Sequence, residues 1–141
     1  KFFRHGAQGS GPLPTTQDMN WFRHNLIWAS RGAAFVLRTQ RSARIQLVVA
    51  TFTIGAGFFF DIDRLEWIAV TFAIGVVLAA EAFNTAIESL ADALHPEQHP
   101  LVGRAKDCAA GAVLLTAIAA SITGVIVFLP KILTWLTYLP N

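Results

Sequence analysis

The sequence predicts an all-α integral membrane protein of three transmembrane helices, preceded by an amphipathic helix lying on the membrane surface. Three observations carry that prediction. The chain of 141 residues is 54% hydrophobic and only 14% charged, whereas soluble domains average about 25% charged residues. Three apolar stretches approach or reach the length needed to cross a hydrocarbon core of about 30 Å. A basic segment with helical periodicity stands directly before the first of them.

Residues 1–17 are rich in Gly, Pro and polar side chains ("GAQGSGPLPTTQ") and are expected to form a disordered tail. They contain no apolar core of a secretory signal. The chain begins at Lys1 rather than Met, so a trimmed terminus is expected. The first ordered element should start at an N-cap near Asp18 or Asn20. Over residues 20–39, a projection of about 100° per residue gathers Phe22, Leu26, Ala29, Ala33, Val36 and Leu37 on one side. Arg23, His24, Arg31 and Arg38 fall on another. A helix with a basic face toward lipid phosphates and an apolar face toward acyl chains has this pattern. A basic helix packed on a soluble partner shows it too.

The first span is placed at residues 44–60, "RIQLVVATFTIGAGFFF", somewhat short and helped by snorkelling of Arg44. The second, at 65–93, begins cleanly and then runs into "EAFNTAIESLAD". The third, at 106–129, is uncharged from Cys108 to Leu129 and is expected to stop at Pro130 and Lys131. A membrane domain of residues 18–133 follows, with a C-terminal tail at 134–141. Arg23, Arg31, Arg38, Arg41 and Arg44 precede the first span, and Arg104 and Lys106 lie between the second and third, whereas "DIDRLE" holds one Arg among three acids. The excess of positive charge places the N-terminus and the 94–107 loop in the cytoplasm and the C-terminus outside. Trp67 and Trp135 then mark the outer interface.

The lone Cys108, among Ala109, Ala110 and Gly111, excludes an intrachain disulfide and is read as a packing residue. No P-loop, glycine-rich nucleotide fingerprint or nucleophile elbow is present, and "HPEQHP" reads as a proline-bounded turn rather than a zinc site. A small net charge of +2 marks no nucleic-acid partner.

The acidic run is the informative feature. With Glu81 as angular origin, Asn84 falls at about −60°, Glu88 at about −20° and Asp92 at about +20°, one stripe on the cytoplasmic half of the second span. Lys106 and Asp107 open the third span at nearly the depth where Asp92 emerges. Carboxylates of this kind hold Mg²⁺, an ammonium neutralises phosphate oxygens, and one carboxylate can take a proton from an attacking hydroxyl. Two other readings fit the same spacing. Glu81 and Glu88 can be polar glue paired with Lys106 or Arg104, or the stripe can line an ion or proton path.

The stretch "EAFNTAIESLADALHPEQHPLVGRAKDCAAGAVLL" resembles the signature of the small prokaryotic diacylglycerol kinases, a family that includes undecaprenol kinases. Its core is E-x-x-N-T-A-I-E-x-x-x-D followed by A-K-D-x-A-A-G-A-V. In "RTQRSARIQL" and "FLPKIL" the chain looks more like the Gram-positive undecaprenol kinase branch. The resemblance covers roughly residues 21–133. It implies a homotrimer in a bacterial cytoplasmic membrane, with active sites shared between subunits. It further implies transfer of the γ-phosphate of ATP, with Mg²⁺, to the hydroxyl of a membrane lipid, undecaprenol or diacylglycerol. By resemblance, Glu81 matches the catalytic base and, with Asn84, the lipid site; Glu88 matches a metal-binding carboxylate. Asn84, Asp92, Lys106, Asp107, Glu97 and His99 match nucleotide-site positions, and Arg23 and Trp28 are expected near the nucleotide. The family usually has Glu where this chain has Gln40, so the second metal position carries an amide.

Overall fold

The structure, a computed structural model, describes residues 16–97 and 99–138. Within them are four helices, α1 (Thr16–Thr39), α2 (Arg41–Phe59), α3 (Arg64–Leu94) and α4 (Pro100–Tyr138). The chain divides into two compact units, residues 1–35 and 36–141. In the first, Arg31 lies over the ring of Trp28, 4.9 Å from its centroid, a cation–π contact one helical turn long. The expected tail falls outside the described residues up to 15, while Thr16 and Gln17 already belong to α1.

The second unit contains α2, α3 and α4, each long and apolar enough to cross a membrane. Its large apolar side chains point outward: Phe52, Phe72 and Phe83 are 75%, 73% and 72% exposed. In water such a surface would drive aggregation; against acyl chains it costs nothing. The helices therefore meet through small residues and a few larger ones. Ala43 and Ala50 of α2 and Ala109 of α4 are buried. α3 packs chiefly on α4 and, less extensively, on α2.

The turn from α2 to α3 is built by backbone chemistry. Ile62 N–H donates to Gly57 O at 3.1 Å and Asp61 N–H to Phe58 O at 3.4 Å, the paired bonds of a Schellman motif. Asp61, at φ 48°, takes the left-handed position that glycine usually fills. Asp tolerates it better than β-branched residues do. Gly57 admits the close approach: a Cβ there would meet Trp67 Cη2 at 2.8 Å. Asp63 then caps α3, its Oδ1 accepting from Leu65 N and Glu66 N at 2.7 and 2.9 Å. Glu66 Oε2 accepts in return from Asp63 N at 2.7 Å, closing a capping box. Ile62, Val70 and Val127 form the buried cluster beneath, flanked by Phe60, Trp67, Ile74 and Phe128. Asp61→Val should lower the stability of the protein in detergent by about 1–2 kcal/mol, and Asp61→Gly should not lower it. Thermal unfolding of the three proteins checks this, and equal midpoints for Asp61→Val and the parent would contradict it.

α4 corrects one expectation. It does not stop at Leu129 but runs through Pro130 to Tyr138, so most of the expected C-terminal tail is helix; residues 139–141 lie outside the described residues. Proline removes one N–H and crowds the carbonyl four residues back, which in water ends most helices. In an apolar surround the remaining backbone groups have no better partner than the helix itself. Side chains past the proline also tie the segment down. Lys131 Nζ pairs with Glu66 Oε2 at 2.9 Å, and Trp135 packs edge-on against Phe59, with centroids 6.0 Å apart. The start of α4 is also earlier than expected, at Pro100, so the connection from α3 is short. Cys108 is exposed rather than packed.

Candidate active site

α3 carries three buried polar residues within little more than one turn: Glu81 and Thr85, each 2% exposed, and Asn84 at 9%. Such a cluster on a membrane-crossing helix needs partners, because an unpaired polar group in an apolar interior is costly. Thr85 satisfies itself, its Oγ1 donating to Glu81 O at 2.9 Å. Glu81 is held from α2, where Gln46 Nε2 donates to Glu81 Oε1 at 3.0 Å. Asn84 Nδ2 donates to Glu88 Oε1 at 3.0 Å, one turn along α3. Gln40, the residue preceding α2, donates from Nε2 to Glu88 Oε2 at 3.4 Å. Asn84 Oδ1 and Gln46 Oε1 are buried without a hydrogen-bond partner.

The predicted stripe is thus graded in burial. Glu81 and Asn84 are buried, Glu88 is half-buried, and Asp92 is exposed. At 1.5 Å per residue, the climb from Glu81 to Asp92 is about 16 Å. At its exposed end Lys106 Nζ meets Asp92 Oδ1 at 2.8 Å. Lys106 is therefore brought to Asp92, not to Glu81 or Glu88, as the polar-glue reading had it. Asp107 is exposed on the next position of α4.

No hydrogen bond joins Glu97 or His99 to this network among the described residues. Glu97 and His99 are exposed between α3 and α4; His99 Nδ1 accepts from Leu101 N at 3.2 Å, and its ring stacks on that of His95 at 5.9 Å. Gln98 is outside the described residues. Arg23 and Trp28 belong to the first unit and are exposed there.

Sequence reasoning passed over Gln46 and Thr85. Gln46 had a signal: it is the one amide in the apolar run "IQLVVATF". It also lines a cavity of about 330 Å³ between α2, α3 and α4, whose walls include Ala50, Thr53, Val77, Leu78 and Gly124. A second cavity of about 360 Å³ lies between α3 and α4, lined by Ala79, Ala80, Phe83, Asn84, Ala109 and Ala112, among others.

A buried carboxylate on a membrane helix, with a second carboxylate and a solvent-facing ammonium above it, suits phosphoryl transfer to a hydroxyl that stays near the lipid. Residues 27–128 match the prokaryotic diacylglycerol kinase family. The chain belongs to that family. It is 35% identical over 115 residues to the undecaprenol kinase of Bacillus subtilis, covering 82% of this chain and 94% of that one. It is 37% identical over 108 residues to a diacylglycerol kinase of Synechocystis, covering 76% of this chain but 61% of that one. Its identity to the diacylglycerol kinase of Escherichia coli K12 is 30% over 96 residues, 68% of this chain and 77% of that one. The chain is a lipid kinase with membrane-crossing helices, and the ion-path reading is set aside. A kinase of this family implies ATP as co-substrate.

Proposed function

We propose that the protein phosphorylates undecaprenol with ATP and Mg²⁺ at the cytoplasmic face of a bacterial membrane. The observation that carries this reading is Glu81, a carboxylate 2% exposed and joined through Gln46 to an apolar cavity. A lipid hydroxyl stays near the hydrocarbon, so the base that serves it must lie there also. Glu81 accepts the hydroxyl proton as the lipid oxygen attacks the γ-phosphorus. An O–P bond forms, the bond from phosphorus to the ADP oxygen breaks, and the proton remains on Glu81. A cavity of about 330 Å³ suits one hydrocarbon chain beside the reacting hydroxyl.

Lys106 meets the phosphates from above. Its side chain is 36% exposed and its partner Asp92 68%, so an arriving phosphate oxygen can replace Asp92 on the ammonium. Asp92, Asp107, Glu97 and His99 complete the nucleotide side. The donor set beside Glu88 suits Mg²⁺, which usually takes one or two carboxylates plus substrate phosphates. Glu88 offers two oxygens, the Gln40 amide a third, and the buried Asn84 Oδ1 has no partner of its own. Glu88 and Gln40 would hold the ion, which when bound neutralises charge on the phosphate oxygens.

A homotrimer with sites shared between subunits agrees with the alanine-lined groove between α3 and α4, where another helix can approach closely. In this arrangement the N-terminus is cytoplasmic and the C-terminus outside. The second reading, diacylglycerol as acceptor, is favoured by the names of two of the relatives. Phosphorylation of both lipids side by side in mixed micelles decides between them. The expected result is a higher kcat/KM for undecaprenol; a higher value for diacylglycerol would reverse the assignment.

A further inference from the structure

The one polar contact from α2 to the buried Glu81 comes from a residue to which no role has been given. Gln46 Nε2 donates to Glu81 Oε1 at 3.0 Å, while Gln46 Oε1 is buried with no partner. The amide N–H can donate to Oε1 whether Glu81 is a carboxylate or an acid protonated on its other oxygen.

We propose that Gln46 is a positioning residue that holds Glu81 in place in both of its protonation states. Before transfer, Nε2 steadies the carboxylate whose free oxygen receives the hydroxyl proton. After transfer the proton sits on Glu81 Oε2, and Gln46 Nε2 goes on donating to Oε1, now the carbonyl oxygen of the acid, so the side chain stays in the same rotamer until the proton leaves. No other donor from α2 or α4 is placed on Glu81 among the described residues. The nearest charges by position are Glu88, two turns along α3, and Arg44, two residues before Gln46 on α2; α4 carries no ionisable side chain between Cys108 and Lys131. The inference rests on Glu81 being the base.

Two variants of the full-length protein in micelles test it. Gln46→Met keeps the length of the side chain and removes both donor and acceptor. It should lower kcat by up to about 10²-fold, the order of cost of a slightly misplaced reacting group. KM for ATP and for the lipid should stay unchanged. Gln46→Glu keeps the shape but faces Glu81 with a second carboxylate, which raises the proton affinity of the pair. The base form is then lost earlier as pH falls, so the acid limb of the kcat profile should move up by about one unit or more. A space-filling role predicts an unmoved profile in Gln46→Glu and parental kcat in Gln46→Met, whose side chain fills the same space. Parental kcat in Gln46→Met, or an unshifted profile in Gln46→Glu, overturns the role of Gln46 and leaves the kinase reading intact. If Glu81→Gln retains activity, the premise itself fails and the role of Gln46 falls with it.

Discussion

Glu81→Gln is expected to remove lipid phosphorylation, with kcat falling by about 10²–10⁴-fold, the contribution of a positioned general base. The substitution is nearly isosteric, and the neighbouring Gln46 amide can still donate to the new carbonyl oxygen as it does to Glu81 Oε1. What disappears is the group that takes the proton. At 2% exposure there is little room for water to substitute as base. The fold should not suffer, because a buried carboxylate on a membrane helix costs about 2.5–3.5 kcal/mol and the neutral amide relieves it. Nucleotide binding should also persist, since Lys106 and Asp92 meet at the exposed end of α3. The measurements are kcat with saturating lipid and ATP, nucleotide affinity, and thermal unfolding. Activity within tenfold of the parent would show that the lipid hydroxyl gives up its proton elsewhere.

Much of this arrangement was legible in the sequence, because a membrane forces a simple code on it. Charge-free runs mark helices that face lipid, so the acidic stripe of α3 stands out against them. Helical periodicity puts Glu81 to Asp92 on one stripe, and the rise along the helix orders them from its middle toward its exposed end. What could not be read is which residue of α2 meets which residue of α3. Gln46 lies 35 positions from Glu81 and Gln40 lies 48 from Glu88. Those pairings depend on how the 60–63 turn sets one helix against the next. That turn did carry a local signal, the Asp63-x-x-Glu66 capping box, which was overlooked beside the charge count of "DIDRLE". The end of α4 was misplaced for a different reason. Pro130 was read by the rule for water, where a freed carbonyl finds a solvent partner; in lipid the helix has no such alternative.

Gln40 is where this chain departs from the carboxylate expected by resemblance, and it supplies the second large effect. Its amide stands 3.4 Å from Glu88, half-buried, with Asn84 holding the other carboxylate oxygen. An amide oxygen can ligate Mg²⁺ but brings no charge to offset loss of the ion's hydration, so this site should bind the ion more weakly than two carboxylates would. Gln40→Glu is therefore expected to lower the Mg²⁺ concentration for half-maximal activity. Glu88→Gln, which removes the one carboxylate of the set, should abolish activity at any attainable Mg²⁺. The opposite signs of the two effects separate a metal site from a merely structural hydrogen bond. In the structural case, Gln40→Glu would set two carboxylates against each other without an ion between them, and would weaken the protein rather than sharpen its response to Mg²⁺. A Mg²⁺ titration at fixed ATP on the parent and both variants gives the answer. A half-maximal concentration unchanged in Gln40→Glu would remove Gln40 from the metal site and leave Glu88 and the phosphates of ATP to hold the ion.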